Sequence, residues 1–179
     1  MKELSLNILD ITKNSVSAKA QNILISLATD ESGLLTLKIV DDGCGMSKET
    51  LRSVTDPFYT TRTTRKVGMG IPLLKLAAEQ TGGSLEIISS TDKSSHGTTV
   101  CATFDTKSID FMPIGDIAST VSILIGGSPE IDFEFIDKTP EREVYLNTKE
   151  LRAVLGEGIS LGEPEIQVWI TEYLNEQYG

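Results

Sequence analysis

Asp10 and Asn14 are the first residues of the chain whose types and spacing point to chemistry. On a helix, residues four apart share one face and lie about 5.4 Å apart along the axis. A carboxylate beside a carboxamide offers the hard oxygen ligands that Mg²⁺ prefers. The Asp10 carboxylate could instead accept a proton from an attacking water or hydroxyl, and a solvated polar face is a third interpretation.

A second candidate group lies in the run from Val40 to Met46 (VDDGCGM), directly after a predicted strand. Gly43 and Gly45 let the backbone come close to a ligand because they carry no Cβ. Asp41, at the strand end, can accept a hydrogen bond from an exocyclic amine, and such a contact would select adenine over guanine. We therefore count these residues, Met46 included, as a candidate binding loop, with an ordinary turn as the alternative.

Two further glycines, Gly68 and Gly70, precede a predicted helix. Backbone N–H groups at a helix N-terminus attract anions, so a phosphate could bind here. The preceding segment, 56–66 (DPFYTTRTTRK), is polar and basic, and a solvated loop is its alternative interpretation. Further along, Gly97 and Thr98 open another predicted strand.

Secondary structure must bring these residues together. Apolar periodicity and turn residues predict helices at 2–18, 48–54 and 71–80 and strands at 22–28, 34–41, 85–89 and 99–104. The first two strands flank a five-residue turn segment, which predicts an antiparallel hairpin. Because helices and strands do not alternate as in a βαβ series, we predict an α+β fold, a two-layer α/β sandwich.

Charge divides the chain into two parts. Residues 1–104 carry 11 basic and 11 acidic side chains, whereas residues 105–179 carry 5 and 15, so the second part holds the whole net charge (5 − 15 = −10). The composition changes at 105–113, a polar run that ends in a proline. We predict two domains, 1–104 and 105–179. The second is a smaller acidic α/β module with helices at 116–125, 148–155 and 164–176 and strands at 131–136 and 142–146.

Composition also limits the classes of function. A pI near 4.6 argues against a nucleic-acid partner, since an acidic chain repels a phosphate backbone. No apolar window approaches the ~18 residues of a membrane span, and no apolar run of a signal peptide follows Lys2 and Glu3. Cys44 and Cys101 are isolated, which fits neither a disulfide framework nor a metal cluster. We predict a soluble cytoplasmic protein with no nucleic-acid or membrane partner.

Residues 1–104 as a whole resemble the ATP-binding domain of the GHKL superfamily, which includes gyrase, histidine kinases, mismatch-repair ATPases and a heat-shock chaperone. Five segments in order carry the resemblance: Asp10-Ile-Thr-Lys-Asn14-Ser to the N box, Asp41–Gly45 to the G1 box, Phe58–Arg62 to the F box, Gly68-x-Gly70 to the G2 box and Gly97-Thr98 to the last G box. The resemblance implies a Bergerat-type fold that closes a lid over ATP and Mg²⁺.

The resemblance also implies a role for each matching residue. Asn14 would coordinate Mg²⁺, Asp41 would bind the adenine amine, and Thr98 would support that contact through a water molecule. The other residues implied to contact ATP lie in the base pocket and the lid: Gly43, Gly45, Met46, Thr60, Thr61, Arg62, Gly68 and Gly70. Ser17 stands where many histidine kinases place a phosphate-contacting lysine.

Asp10 distinguishes branches of the superfamily. Two-component histidine kinases usually lack a carboxylate four residues before the N-box asparagine, whereas ATPases and Ser/Thr kinases carry a glutamate there. Asp10 is one methylene shorter and is our candidate catalytic base. No helix with a phospho-acceptor histidine precedes the domain, and we read His96 as a solvated loop residue. The resemblance therefore implies phosphotransfer in trans to a partner protein, with an ATP-driven conformational switch or an ATP sensor as alternatives.

The acidic module carries an apolar stripe on its last predicted helix, at Ile166, Trp169, Ile170, Tyr173 and Leu174. The stripe either packs on the first domain or docks a partner protein, and the negative charge would favour a basic partner. The segment after residue 105 also resembles extensions on small ATP-binding proteins encoded near iron-only hydrogenases in anaerobes. That resemblance implies a hydrogenase-related partner.

Overall fold

The computed structural model describes residues 3–54 and 69–179 of the 179-residue chain. In this part of the chain, six strands form one sheet and six helices accompany it. The strands are β1 (Asn22–Thr29), β2 (Leu34–Asp41), β3 (Leu85–Ser90), β4 (Gly97–Asp105), β5 (Asp132–Lys138) and β6 (Glu143–Asn147). The helices are α1 (Leu4–Ser17), α2 (Lys48–Ser53), α3 (Gly70–Gln80), α4 (Ile117–Gly127), α5 (Thr148–Leu155) and α6 (Pro164–Tyr178).

The strand order across the sheet is β3-β4-β2-β1-β5-β6. Neighbouring strands are antiparallel, except that β5 runs parallel to β1, with Phe133 opposite Ile23 and Phe135 opposite Ile25. Parallel neighbours need a crossover connection, and the segment between β4 and β5 supplies it with helix α4. The first and second halves of the chain therefore meet in the centre of one sheet.

One face of the sheet is buried. Every second residue of the central strands is under 5% exposed, as at Ile23, Ile25 and Leu27 of β1 and at Leu37 and Ile39 of β2. These side chains form one core with the buried residues of α1, α3, α4 and α6. The alternation follows from the period of two in a strand, which places successive side chains on opposite faces. The predicted α+β two-layer sandwich is confirmed.

The predicted elements are all present, with small differences at their ends. Ser47 caps α2, since its hydroxyl accepts a hydrogen bond of 3.1 Å from the Thr50 N–H. We predicted that α4 begins at Asp116, but this residue is the cap before the helix. Its carboxylate accepts a 3.0 Å hydrogen bond from the Ser119 N–H, which satisfies a helical donor that has no partner within the helix.

Residues 105–179 extend the sheet that residues 1–104 begin. Strand β5 pairs with β1 along its whole length, and α4 packs beside α1. The backbone N–H groups of Leu4 and Ser5, at the start of α1, donate to the carbonyls of Pro113 and Ile114. This continuity favours one cooperative folding unit, so the division at residue 104 stays a prediction that truncation would test.

Candidate functional site

Asp41 ends β2 and faces helix α1. The hydroxyl of Ser15 donates a 2.5 Å hydrogen bond to Asp41 Oδ2, and the Gly43 N–H donates a 2.8 Å bond to Oδ1. The Asp41 side chain is half-buried. Because each carboxylate oxygen accepts more than one hydrogen bond, the group is held in place and can still accept from a ligand.

Thr98 on β4 is the cross-strand partner of Asp41 on β2, so both residues lie at the same end of these two neighbouring strands. Its hydroxyl lies 2.7 Å from the Ser89 hydroxyl of β3. Ser89 in turn accepts a 2.8 Å hydrogen bond from the Met46 N–H. Ser89, which the motifs did not include, therefore connects two candidate binding residues, Thr98 and Met46.

The loop between β2 and α2 is pressed against its neighbours. A Cβ on Gly43 would lie 2.7 Å from the Cβ of Ala18 at the end of α1, closer than side chains normally approach. Gly45 has a φ of +76°, and a Cβ there would overlap the carbonyl of Ser90. A side chain at either position would force its neighbours to move, so glycine allows the loop to lie this close to α1 and β3.

Asp42 differs from its neighbour Asp41 in what it contacts. Its carboxylate accepts hydrogen bonds from the backbone N–H groups of Gln21 and Asn22 and from the Asn22 side chain, at 2.7 to 2.9 Å. Burial raises the pKa of Asp42, but the bonds from Asn22 and Gln21 outweigh it and hold the pKa below its ordinary value. Asp42 therefore stabilises the start of β1, and Asp41 is the carboxylate available to a ligand.

Asp10 and Asn14 lie on α1 as predicted, with Asp10 exposed and Asn14 half-buried. The first residue of α3, Gly70, faces them: a Cβ placed on Gly70 would lie 3.5 Å from the Cβ of Asp10. A carboxylate, a carboxamide and the N-terminus of a helix thus share one region. Oxygen ligands there suit a hard cation, and the helix N-terminus suits an anion.

The structure therefore brings two groups of predicted residues together: Asp41, Gly43, Gly45, Met46 and Thr98 at one end of α1, and Asp10, Asn14 and Gly70 along its polar side. Ser15 lies on the same helix, one position after Asn14, and joins the two groups. The remaining predicted residues, Thr60, Thr61, Arg62 and Gly68, lie outside the described residues.

Sequence reasoning missed three residues that position the site: Ser15, Ser89 and His96. Ser15 follows Leu4, Ile8 and Ile11 on the buried face of α1, where a hydroxyl must find a partner. Ser89 likewise follows Leu85 and Ile87 on the inward face of β3. In both cases a hydroxyl at an apolar position was the available signal.

His96 is exposed, as predicted for a solvated loop residue. Its Nδ1 nevertheless lies 2.6 Å from the carbonyl oxygen of Gly43. The loop between β3 and β4 is therefore tied to the binding loop, and no local sequence pattern signalled this contact.

Comparison with known proteins places the geometry in a family. Residues 1–108 match the family model described as histidine kinase-, DNA gyrase B- and HSP90-like ATPase. This range contains every candidate site residue named above and ends shortly after β4.

Curated relatives cover the same half of the chain. The chain is 28% identical over 89 residues to the sensor histidine kinase ZraS of Escherichia coli K12, covering 49% of this chain and 19% of ZraS. It is 27% identical over 96 residues to sporulation kinase C of Bacillus subtilis 168, covering 53% of this chain and 22% of that kinase. The chain thus spans about a fifth of the length of the curated relatives it matches.

Solved structures share the fold over nearly the whole chain. The ATPase domain of Aquifex aeolicus MutL, complexed with ADP, superposes with a TM-score of 0.57 at 12% identity, covering 96% of this chain and 69% of that one. The N-terminal domain of a DNA repair protein superposes with a TM-score of 0.60 at 18% identity, covering 88% and 58%. In the part of the chain that the structure describes, each helix is too short or too polar to cross a membrane.

Proposed function

The chain belongs to the family of histidine kinase-, DNA gyrase B- and HSP90-like ATPases, and on that premise we propose that it is an ATP·Mg²⁺-dependent kinase module acting in trans. ATP binds between α1, the loop 41–46 and the start of α3. The γ-phosphate passes to a hydroxyl of a partner protein rather than to a histidine of this chain.

The geometry around Asp41 carries this proposal. Ser15 and Gly43 orient the carboxylate before any ligand arrives, and Thr98 stands beside it on β4. An adenine amine that donates to Asp41 would use one of the acceptor sites that Ser15 and Gly43 leave open on this half-buried anion. Guanine presents a carbonyl at the equivalent position and would meet the same carboxylate with repulsion, so the site is suited to ATP.

The residues along α1 suit a magnesium ion. Asn14 and Asp10 offer oxygen ligands one helical turn apart, and Mg²⁺ is held in proteins by few side chains together with phosphate oxygens and water. Asn14 would hold the ion, which neutralises charge on the phosphates. The exposed Asp10 carboxylate would accept the proton of an attacking hydroxyl.

The place of His96 argues against this residue as the phospho-acceptor. His96 lies at the adenine end of the site, where its Nδ1 contacts the Gly43 carbonyl. Asp10 and Gly70, near the middle of α1, mark the proposed phosphate end. The partner protein would dock on residues 105–179, which hold the entire negative charge excess. That this partner is related to hydrogenases stays a prediction.

A labelled-phosphate assay tests the function. The full chain is incubated with γ-labelled ATP, Mg²⁺ and a lysate of its source organism, and label is followed on protein and in free phosphate. Acid-stable label on a partner supports the kinase. Label in free phosphate alone supports the ATP-driven switch, and tight binding without turnover supports the ATP sensor; either result contradicts the kinase.

A further inference from the structure

Residues 105–179 form an apolar groove beside β6, which is the strand at one edge of the sheet. The groove is lined by Tyr145 of β6, by Leu151 and Val154 of α5 and by Ile166, Trp169 and Tyr173 of α6, and it has a volume of about 520 Å³. None of these residues belongs to the nucleotide site. The groove is a separate surface of the protein.

Several of the lining side chains are open to solvent. Val154 is 84% exposed and Trp169 is 44% exposed. The rings of Trp169 and Tyr173 stack with centroids 4.8 Å apart and planes 12° apart. Stacking fixes both rings as one wall, so little side-chain freedom is lost when a partner covers them.

Negative charge borders the groove. Glu150 of α5 and Glu165 of α6 are among its lining residues, and Glu150 accepts a 3.3 Å hydrogen bond from the Tyr145 hydroxyl. Residues 153–179 contain five glutamates and no lysine or arginine. Arg152 of α5 does not neutralise this border, because it is bonded to Asp132 and to backbone carbonyls beside β5. The charge complement of this groove is a cationic partner.

The backbone edge of β6 argues against an added strand. Gln177 of α6 bonds Tyr145 twice: its Oε1 accepts from the Tyr145 N–H at 2.9 Å, and its Nε2 donates to the Tyr145 carbonyl at 3.0 Å. The carboxamide thus occupies the backbone groups at the middle residue of β6 that an added strand would use. An occupant must bind through side chains that enter the groove from the solvent side.

We propose that this groove binds an amphipathic helix of the partner protein, with an apolar stripe facing Trp169 and Val154 and with lysine or arginine residues facing Glu150 and Glu165. Apolar residues spaced as i, i+3, i+4 and i+7 supply such a stripe. The inference rests on the proposed function, since it names the surface through which a kinase module holds its substrate protein. It also explains why the apolar stripe of α6 is only partly covered by this chain.

The test uses the full chain and two synthetic helical peptides of about 20 residues, long enough to form a helix. One carries a leucine stripe with lysines on both flanks, and its twin carries glutamates in place of the lysines. Trp169 is the only tryptophan of the sequence, so its fluorescence and its quenching by acrylamide report directly on the groove. Peptide affinity is measured by anisotropy at low and high salt.

We expect the lysine peptide to bind and to protect Trp169 from quenching, and we expect its affinity to fall as salt rises. Reversing both border charges, E150K with E165K, should lower its affinity at least about tenfold and should allow the glutamate twin to bind. V154D should abolish binding. V168D is the matched control, because Val168 is also exposed on α6 (57%) but does not line the groove.

Other outcomes overturn the proposal. Equal binding of the two peptides would show that charge does not select the occupant, and failure of both would show that the groove is not a helix site. Equal loss in V168D and V154D would place binding elsewhere. Concentration-dependent dimers that V154D abolishes, measured by analytical ultracentrifugation, would identify a second copy as the occupant. ATP affinity is measured on the same samples. If ATP does not bind while the lysine peptide does, the proposed function is wrong and the groove is still a helix-binding site.

Discussion

The Ser15 hydroxyl donates a 2.5 Å hydrogen bond to Asp41 Oδ2, across 26 positions of sequence. It joins the buried face of α1 to the end of β2, and the neighbouring residue on α1, Asn14, is the proposed magnesium ligand. This contact therefore helps to orient the carboxylate that we propose binds adenine relative to the helix that we propose binds the magnesium ion. Such preorganisation reduces the cost of ordering the site when a ligand binds.

Asp41→Asn should lower ATP affinity by about 10- to 100-fold, because a hydrogen bond to a charged group contributes about 1.5–3 kcal/mol. Isothermal titration calorimetry measures the affinity. Asp42→Asn is the neighbouring control: it should lower the midpoint of urea unfolding, since Asp42 holds the start of β1, while ATP affinity stays within a few-fold. Unchanged ATP binding in Asp41→Asn would remove Asp41 from the adenine site.

Ser15→Ala should weaken ATP binding by about 3- to 10-fold, because the loss of one orienting hydrogen bond costs about 1 kcal/mol. The selectivity for ATP over GTP should fall with it, since the carboxylate is no longer fixed. Ser26→Ala is the matched control and should bind ATP normally, because Ser26 lies on the face of β1 that points away from the core. An affinity equal in the two variants would show that Asp41 does not need Ser15.

Asp10→Asn should reduce turnover by about 10²–10⁴-fold with ATP affinity within a few-fold, which is the range for a general base. Asn14→Ala should instead weaken binding only when Mg²⁺ is present. The two variants are compared by nucleotide titration with and without Mg²⁺ and by phosphate release. If both lose Mg²⁺-dependent binding equally, Asp10 is a second magnesium ligand.

Gly45→Ala should destabilise the protein by about 1–3 kcal/mol, because a side chain at a φ of +76° is strained and its Cβ overlaps the Ser90 carbonyl. ATP affinity should fall as the loop shifts. Gly127→Ala is the control, since a Cβ there meets nothing within 4 Å. Urea unfolding of both variants checks the difference, and equal midpoints would contradict the tight packing of the loop.

Asp137 provides a dependence of stability on pH. Burial raises its pKa above the ordinary value of about 3.9, and the hydrogen bond from Tyr178 and the charge of Arg142 only partly offset this. The pKa of Asp137 is therefore ordinary in the unfolded chain and raised in the folded protein. Between these two values the folded protein binds more protons than the unfolded chain, so the free energy of unfolding falls as pH rises. Asp137→Asn should remove this slope.

Tyr178→Phe should make the same slope steeper. The Tyr178 hydroxyl lies 2.6 Å from Asp137 Oδ2, and without this bond the carboxylate is less stabilised and its pKa rises further. Urea unfolding at a series of pH values above 4 measures both variants against the wild type. A slope that Asp137→Asn leaves unchanged would assign it to another carboxylate.

The sequence by itself determined the helices and strands and led to the proposed residues of the nucleotide site, because both inferences use local information. Apolar periodicity places Leu4, Ile8 and Ile11 on one face of α1, and closely spaced glycines mark loops where backbone approaches a ligand. The residue types at Asp10, Asn14 and Asp41 indicate the chemistry that we propose before any contact is known. These signals lie within windows of a few residues.

Only the tertiary structure decided how these windows combine. The parallel pairing of β5 with β1, the bond between Ser15 and Asp41, and the groove between α5 and α6 each join residues far apart in sequence. Strand order and side-chain contacts depend on which buried surfaces fit together, and a charge boundary at residue 104 carries no information about that fit. The charge pattern therefore predicts that residues 105–179 form a separate module, whereas in the structure they supply two strands of the same sheet.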